Sequence, residues 1–77
     1  MGLQTVDRAV AVLHLLSGNG ANGLRLVDVQ GKLRLSKPTA HRLLMSLVSH
    51  GLVEQDEASK RYRLGSRLAV LAWSVPQ

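Results

Sequence analysis

The 77-residue chain has no cysteine, no phenylalanine and only two aromatic residues, Tyr62 and Trp73. Without cysteine it can form neither disulfides nor thiolate metal sites, which fits a cytoplasmic setting. With so few rings the core has to be aliphatic, chiefly Leu and Val. Acids are also scarce: five Asp and Glu stand against ten Lys and Arg, for a formal charge of +5 and a pI near 10.9. That balance favours a polyanionic partner, most simply nucleic acid. The longest apolar run, Val6 to Leu16, is short and broken by Asp7, Arg8 and His14. It is neither a membrane span nor a signal peptide, so no membrane partner is expected.

Catalytic signatures are missing as well. His14, His41 and His50 have no metal-ligand spacing and no paired carboxylates beside them. The glycine-rich GNGANG stretch, Gly18 to Gly23, lies between helical patterns rather than after a strand, so it is no phosphate loop. The sequence therefore predicts no enzyme, no catalytic residue, no metal and no cofactor.

The most informative stretch runs from Leu35 to Leu52, LSKPTAHRLLMSLVSHGL. Ser36 can cap a helix there, and Pro38 falls in the first turn, where its missing N–H costs nothing. Ala40, Leu43, Leu44, Leu47 and Val48 follow the spacing of a core-facing stripe, and Gly51 supplies the left-handed residue that ends the helix. At about 100° per residue the opposite face carries Pro38, Arg42, Met45 and Ser49, flanked by Thr39 and Ser46 on one side and His41 on the other. A solvated helix face usually mixes Glu with Lys. This one has a cation, small hydroxyls and no acid, which suits hydrogen bonding to base edges in a DNA major groove.

Before it, Val6, Ala9, Val10, Leu13 and Leu16 form an apolar stripe so broad that the first helix, starting at Thr5, is expected to be wrapped on several sides. Gly18 is its expected left-handed stop. Leu24 to Leu35 predicts a short second helix on Leu26, Val29 and Leu33, weakened by Val27 as a poor cap and by Gly31 in its interior. Two helices joined by a tight turn, the second with a groove-ready face, is a helix-turn-helix pattern. After Gly51 the period changes to two. Val53 to Asp56 and Lys60 to Leu64 predict a hairpin turning at Glu57-Ala58-Ser59, with Tyr62 and Leu64 inward and Arg61 and Arg63 outward. Such a hairpin is a wing, and Lys60, Arg61 and Arg63 are suited to phosphates or a minor groove. Ser66 caps a last helix on Leu68, Leu71, Ala72 and Val75. Its apolar faces suggest contact beyond the domain, and Trp73 is either a core lid or an interface anchor.

Together, the VDRA run at Val6 to Ala9, the Leu35 to Leu44 stretch with its THRLL-like core, the Gly51-Leu52-Val53-Glu54 exit and Arg61-Tyr62-Arg63-Leu64-Gly65 resemble the N-terminal DNA-binding domain of the isocitrate-lyase-regulator (IclR) family of bacterial transcription factors. The resemblance covers nearly all of the chain. It implies a mainly α winged helix-turn-helix with a three-helix core, a two-stranded wing and a C-terminal linker helix. Residues 1–65 would be the DNA-binding domain and 66–77 the start of the linker, with the family's C-terminal effector-binding domain absent. Double-stranded operator DNA would be bound as a homodimer, a tetramer in the full-length protein, and a small-molecule effector would act only through that further domain. Carried over by position, the DNA-facing residues are Ser36, Lys37, Pro38, Thr39, His41 and Arg42, with Lys60, Arg61 and Tyr62 in the wing. Leu71 and Trp73 fall in the dimer interface. Arg34 and Lys60 stand where the family often has glycine, so each is expected to carry some backbone strain if φ is positive there. The alternative is a winged helix used for protein–protein contact or dimerisation. Against it stand Lys37, Arg42, Lys60, Arg61 and Arg63, which such a module has no need to hold free of acids.

Overall fold

The computed structural model describes residues 2–76 as α1 (Gly2–Ser17), α2 (Leu26–Leu33), α3 (Lys37–Ser49), β1 (Val53–Gln55), β2 (Tyr62–Leu64) and α4 (Arg67–Trp73). Met1 and Gln77, the outer ends of the two expected segments, lie outside the described residues. The expected architecture is present: mainly helical, with an antiparallel pair in which Val53, Glu54 and Gln55 face Leu64, Arg63 and Tyr62.

The core forms where α1, α2 and α3 meet the strands. Val12, Leu16, Val29, Ala40, Leu44, Leu47, Val53 and Tyr62 are buried, and Leu13, Leu26, Leu33, Leu43, Val48 and Leu64 pack around them. Each fully buried Leu or Val contributes about 1.5–3 kcal/mol relative to exposure. The core is aliphatic as expected, with Tyr62 its single ring.

Two helix ends follow from local chemistry. α3 stops in a paired motif: Leu52 N–H donates to the Leu47 carbonyl at 3.0 Å and Gly51 N–H to that of Val48 at 2.9 Å. Gly51 has φ of 76°, which glycine adopts without strain. α2 closes through Arg34 at φ 55°, with Leu35 N–H on the Gln30 carbonyl at 3.1 Å.

Several local expectations are corrected. α1 starts at Gly2 rather than Thr5, and it is less enclosed than the expected wrapping on several sides: Val12 and Leu16 are buried, but Val6 is 57% and Val10 46% exposed. Gly18 does not take the left-handed stop. The Ser17 hydroxyl donates to the His14 carbonyl at 2.6 Å and Asn19 Nδ2 to that of Leu15 at 2.9 Å, so side chains satisfy the helix end. The positive φ values in that loop fall on Gly20 and Gly23. α2 is shorter than Leu24 to Leu35. Its cap is Arg25, not Val27, and Asp28 Oδ2 accepts the Arg25 N–H at 3.0 Å, the half of a capping box in which the third helical residue reaches back to the cap. Both strands are one or two residues shorter than expected, leaving Asp56, Lys60 and Arg61 in the wing loop. Ser66 makes no side-chain cap to α4; the Glu54 carboxylate takes the Ser66 N–H at 3.0 Å instead.

The residue that follows the GNGANG loop joins the wing. Leu24 and Tyr62 exchange backbone hydrogen bonds of 2.8 and 2.7 Å, an isolated bridge that ties the segment entering α2 to the wing.

Candidate nucleic-acid interface

Pro38 in the first turn and Ser36 before it set the start of α3. The Ser36 hydroxyl donates to Thr39 Oγ1 at 2.9 Å and receives the Thr39 N–H at a long 3.4 Å. Lys37, Pro38, His41, Arg42, Met45, Ser46 and Ser49 are exposed, whereas Ala40, Leu44 and Leu47 are buried. The two faces therefore separate as their spacing predicts. The described ion pairs involve none of Lys37, Arg42, Lys60 and Arg61.

The wing tip is held by Asp56. Its Oδ2 accepts the Ser59 N–H at 2.7 Å and its carbonyl accepts the Lys60 N–H at 2.8 Å, while the Ser59 hydroxyl accepts the Arg61 N–H at 3.2 Å. The Ser59 backbone N–H, reinforced by the Ser59 hydroxyl and the Arg63 charge, lowers the Asp56 pKa below the ordinary carboxylate range. Lys60 has φ of 64°, so the condition for backbone strain is met there as at Arg34. Gln55 Nε2 fastens the Lys60 carbonyl at 3.2 Å.

Two wing residues do not sit as expected of DNA-facing groups. Tyr62 is only 2% exposed and belongs to the core, and its burial pushes the phenol pKa up. The inward reading of its strand position prevails over the family position. Arg63 lies outward but is not free of acids: its guanidinium is 3.5 Å from Glu54 Oε1, its cross-strand partner. Trp73 is 90% exposed, which removes the core-lid option, and Leu71 beside it is half exposed.

The fold also brings up residues that the chain order hides. One cleft of about 590 Å³ lies between α2, α3 and the wing, and Arg25, Lys37, His41 and Lys60 all line it. A smaller cleft on the other flank of α3 joins Thr39, Arg42 and Ser46 to Thr5 and Arg8 of α1. Arg25 has no sequence signal beyond its charge, and Arg8, though part of the VDRA run, has none that joins it to α3, since each stands on a different element from the α3 residues in its cleft. Among the described residues no group of His, Asp and Glu is placed to hold a metal, and no helix is long and apolar enough to cross a membrane.

Comparison with known proteins bears on this surface directly. Residues 5–57 match the IclR helix-turn-helix domain. The glycerol operon regulatory protein of Streptomyces coelicolor is 48% identical over 66 residues, covering 86% of this chain and 26% of that protein. The transcriptional regulator XynR of Escherichia coli is 38% identical over 66 residues, again 86% of this chain and 26% of the other. Among solved structures, an IclR transcriptional regulator from Alicyclobacillus acidocaldarius superposes with a TM-score of 0.85 at 33% identity, covering 91% of this chain and 28% of that one. The chain thus spans about a quarter of the length of the relatives it matches. With an acid-free α3 face, a wing that carries Lys60 and Arg61, and these relatives, the chain belongs to the IclR helix-turn-helix family of DNA-binding transcriptional regulators.

Proposed function

We propose that the chain reads double-stranded operator DNA sequence-specifically, with α3 in the major groove and the wing on the adjacent backbone or minor groove. The observation that carries this reading is the exposed, acid-free face of α3, with Lys37 and Lys60 at the cleft on its flank. Arg42 lies at the middle of that face and has the guanidinium fork that matches guanine O6 and N7, a contact worth about 1–3 kcal/mol of base discrimination. Pro38, Thr39 and His41 border the same bases, and Ser36 lies at the helix start near phosphate. Lys37, Lys60 and Arg61 supply the sequence-blind, salt-sensitive attraction. Tyr62 supports the wing from inside.

The test uses duplexes selected by the chain from a random pool. Arg42→Ala should relax base preference, while Arg61→Ala should weaken selected and scrambled duplexes alike. Uniform loss in both variants would overturn these roles.

The DNA-reading unit is residues 1–65, and residues 66–77 begin a linker. Two copies would pair through α4, with Leu71 and exposed Trp73 as anchors, and would place two α3 helices on half-sites about 34–36 Å apart. A tetramer, a small-molecule effector bound by a further domain, and a cytoplasmic location complete the proposal for the whole protein. Sedimentation of the chain with and without a palindromic duplex tests the pairing, which Trp73→Ala should weaken.

A further inference from the structure

We infer that the cleft between α2, α3 and the wing is a clamp for a single DNA backbone phosphate, held by Arg25, Lys37 and Lys60. This deepens the DNA-reading proposal and rests on it. Arg25 precedes α2, Lys37 opens α3 and Lys60 closes the wing tip, so three separate elements deliver cations to one cavity of about 590 Å³. No carboxylate lines it. Of the acids on the same elements, Asp28 pairs with Arg25 itself, Asp56 is taken up within the wing turn, and Glu57 of that turn does not line the cleft. Asp28 takes the Arg25 N–H at 3.0 Å and lies 3.7 Å from its Nε, and Asp56 takes the Ser59 N–H at 2.7 Å.

A second observation points the same way. Lys60 holds φ of 64°, a backbone conformation that glycine takes without strain and lysine does not. A side chain kept in a strained position motivates a functional reading, and the cleft supplies one. Lys37 and His41 line the cleft from the flank of α3 that adjoins the groove-facing residue Pro38. A strand bordering the groove occupied by α3 therefore passes over the cleft. The cavity is mixed, with Leu26 and Tyr62 beside Ser59 and Gln55, and three cations from separate elements suit one phosphodiester better than a base. Occupied this way, the phosphate would bridge the wing to the helix-turn-helix and fix the wing's angle against the duplex.

The experiment combines Lys60→Gly with Arg25→Gln. Lys60→Gly removes the cation and relieves the backbone strain, so the wing turn is retained and lost binding does not report unfolding. Duplexes selected by the wild-type chain are rebuilt with one neutral methylphosphonate linkage at a time, and binding is titrated with salt. The expected result is a lower salt slope in each variant, by less than the roughly 0.9 that one phosphate contributes, with base preference retained. One linkage, the same for both, should weaken the wild type most when neutralised and weaken Lys60→Gly and Arg25→Gln less. An unchanged slope, or full sensitivity of the variants at every linkage, overturns the clamp while leaving DNA reading intact. Failure of the wild type to select any duplex overturns both.

Discussion

Gly23 lies so close to Tyr62 that a Cβ built on it would stand 2.0 Å from the Tyr62 carbonyl oxygen. The approach makes the Leu24–Tyr62 bridge possible, and that bridge holds the entry to α2 against the wing. Gly23→Ala would meet the carbonyl and also a φ of 66°. We expect a loss of about 2–4 kcal/mol, combining backbone strain with weakened hydrogen bonds. Gly20→Ala is the control: its φ is 56° but nothing lies within 4 Å, so about 1 kcal/mol is expected. Urea melts of both variants measure the difference, and equal losses would show that the close approach costs nothing.

Gly31 is the opposite case. It sits inside α2 with open space where a Cβ would go. Gly31→Ala should stabilise the domain by about 0.5–1 kcal/mol, by reducing the freedom of the unfolded chain and favouring the helix. Thermal unfolding would then shift upward by a few degrees. A lower melting temperature would mean that α2 needs the glycine for a reason other than packing.

Glu54 holds Arg63 with one carboxylate oxygen and the Ser66 N–H with the other. Both side chains of the ion pair are more than a third exposed, so screening limits the pair to less than about 1 kcal/mol. Glu54→Gln should therefore melt close to the wild type. It should also release a cation on the wing and steepen the salt dependence of DNA binding. An unchanged slope would show that Arg63 does not reach phosphate even when freed.

The wing should respond to acid before the core does. The folded-state pKa of Asp56 is depressed, chiefly by the Ser59 N–H. Its contribution is present above the ordinary aspartate value of about 3.9 and is lost as pH falls through the lower folded value. Amide exchange at Ser59 and Lys60 should accelerate over that acid window, while Leu44 and Leu47 stay protected. Tyr62 behaves in the reverse sense: its raised pKa keeps its contribution intact below about 10 and loses it as pH rises through the folded value. Asp56→Asn should flatten the acid response of the wing. If it does not, another group governs the turn.

Much of this molecule was legible one residue at a time. The α3 stripe, its Gly51 stop, the change of period after it and the inward side of Tyr62 all appear in the structure as their spacing predicts. These features depend on neighbours within a turn of helix or a pair of strand positions, so the chain itself encodes them. Helix ends are less legible, because residue type alone does not say which group reaches the terminal N–H or carbonyl. Asp28 caps through the backbone of Arg25, Glu54 takes the place expected of Ser66, and Gly18 gives way to Ser17 and Asn19.

By itself the sequence determined the helix-turn-helix, the wing and the acid-free face of α3, since periodicity and charge are properties of short segments. The tertiary structure alone decided which cations stand together. Arg25, Lys37 and Lys60 lie on three elements and meet in one cleft because Arg34 turns α3 against α2 and Gly23 lets the wing close on the segment between them. It also decided that Arg63 is held back by Glu54. Distances between elements depend on how their buried faces pack, and no local pattern records that.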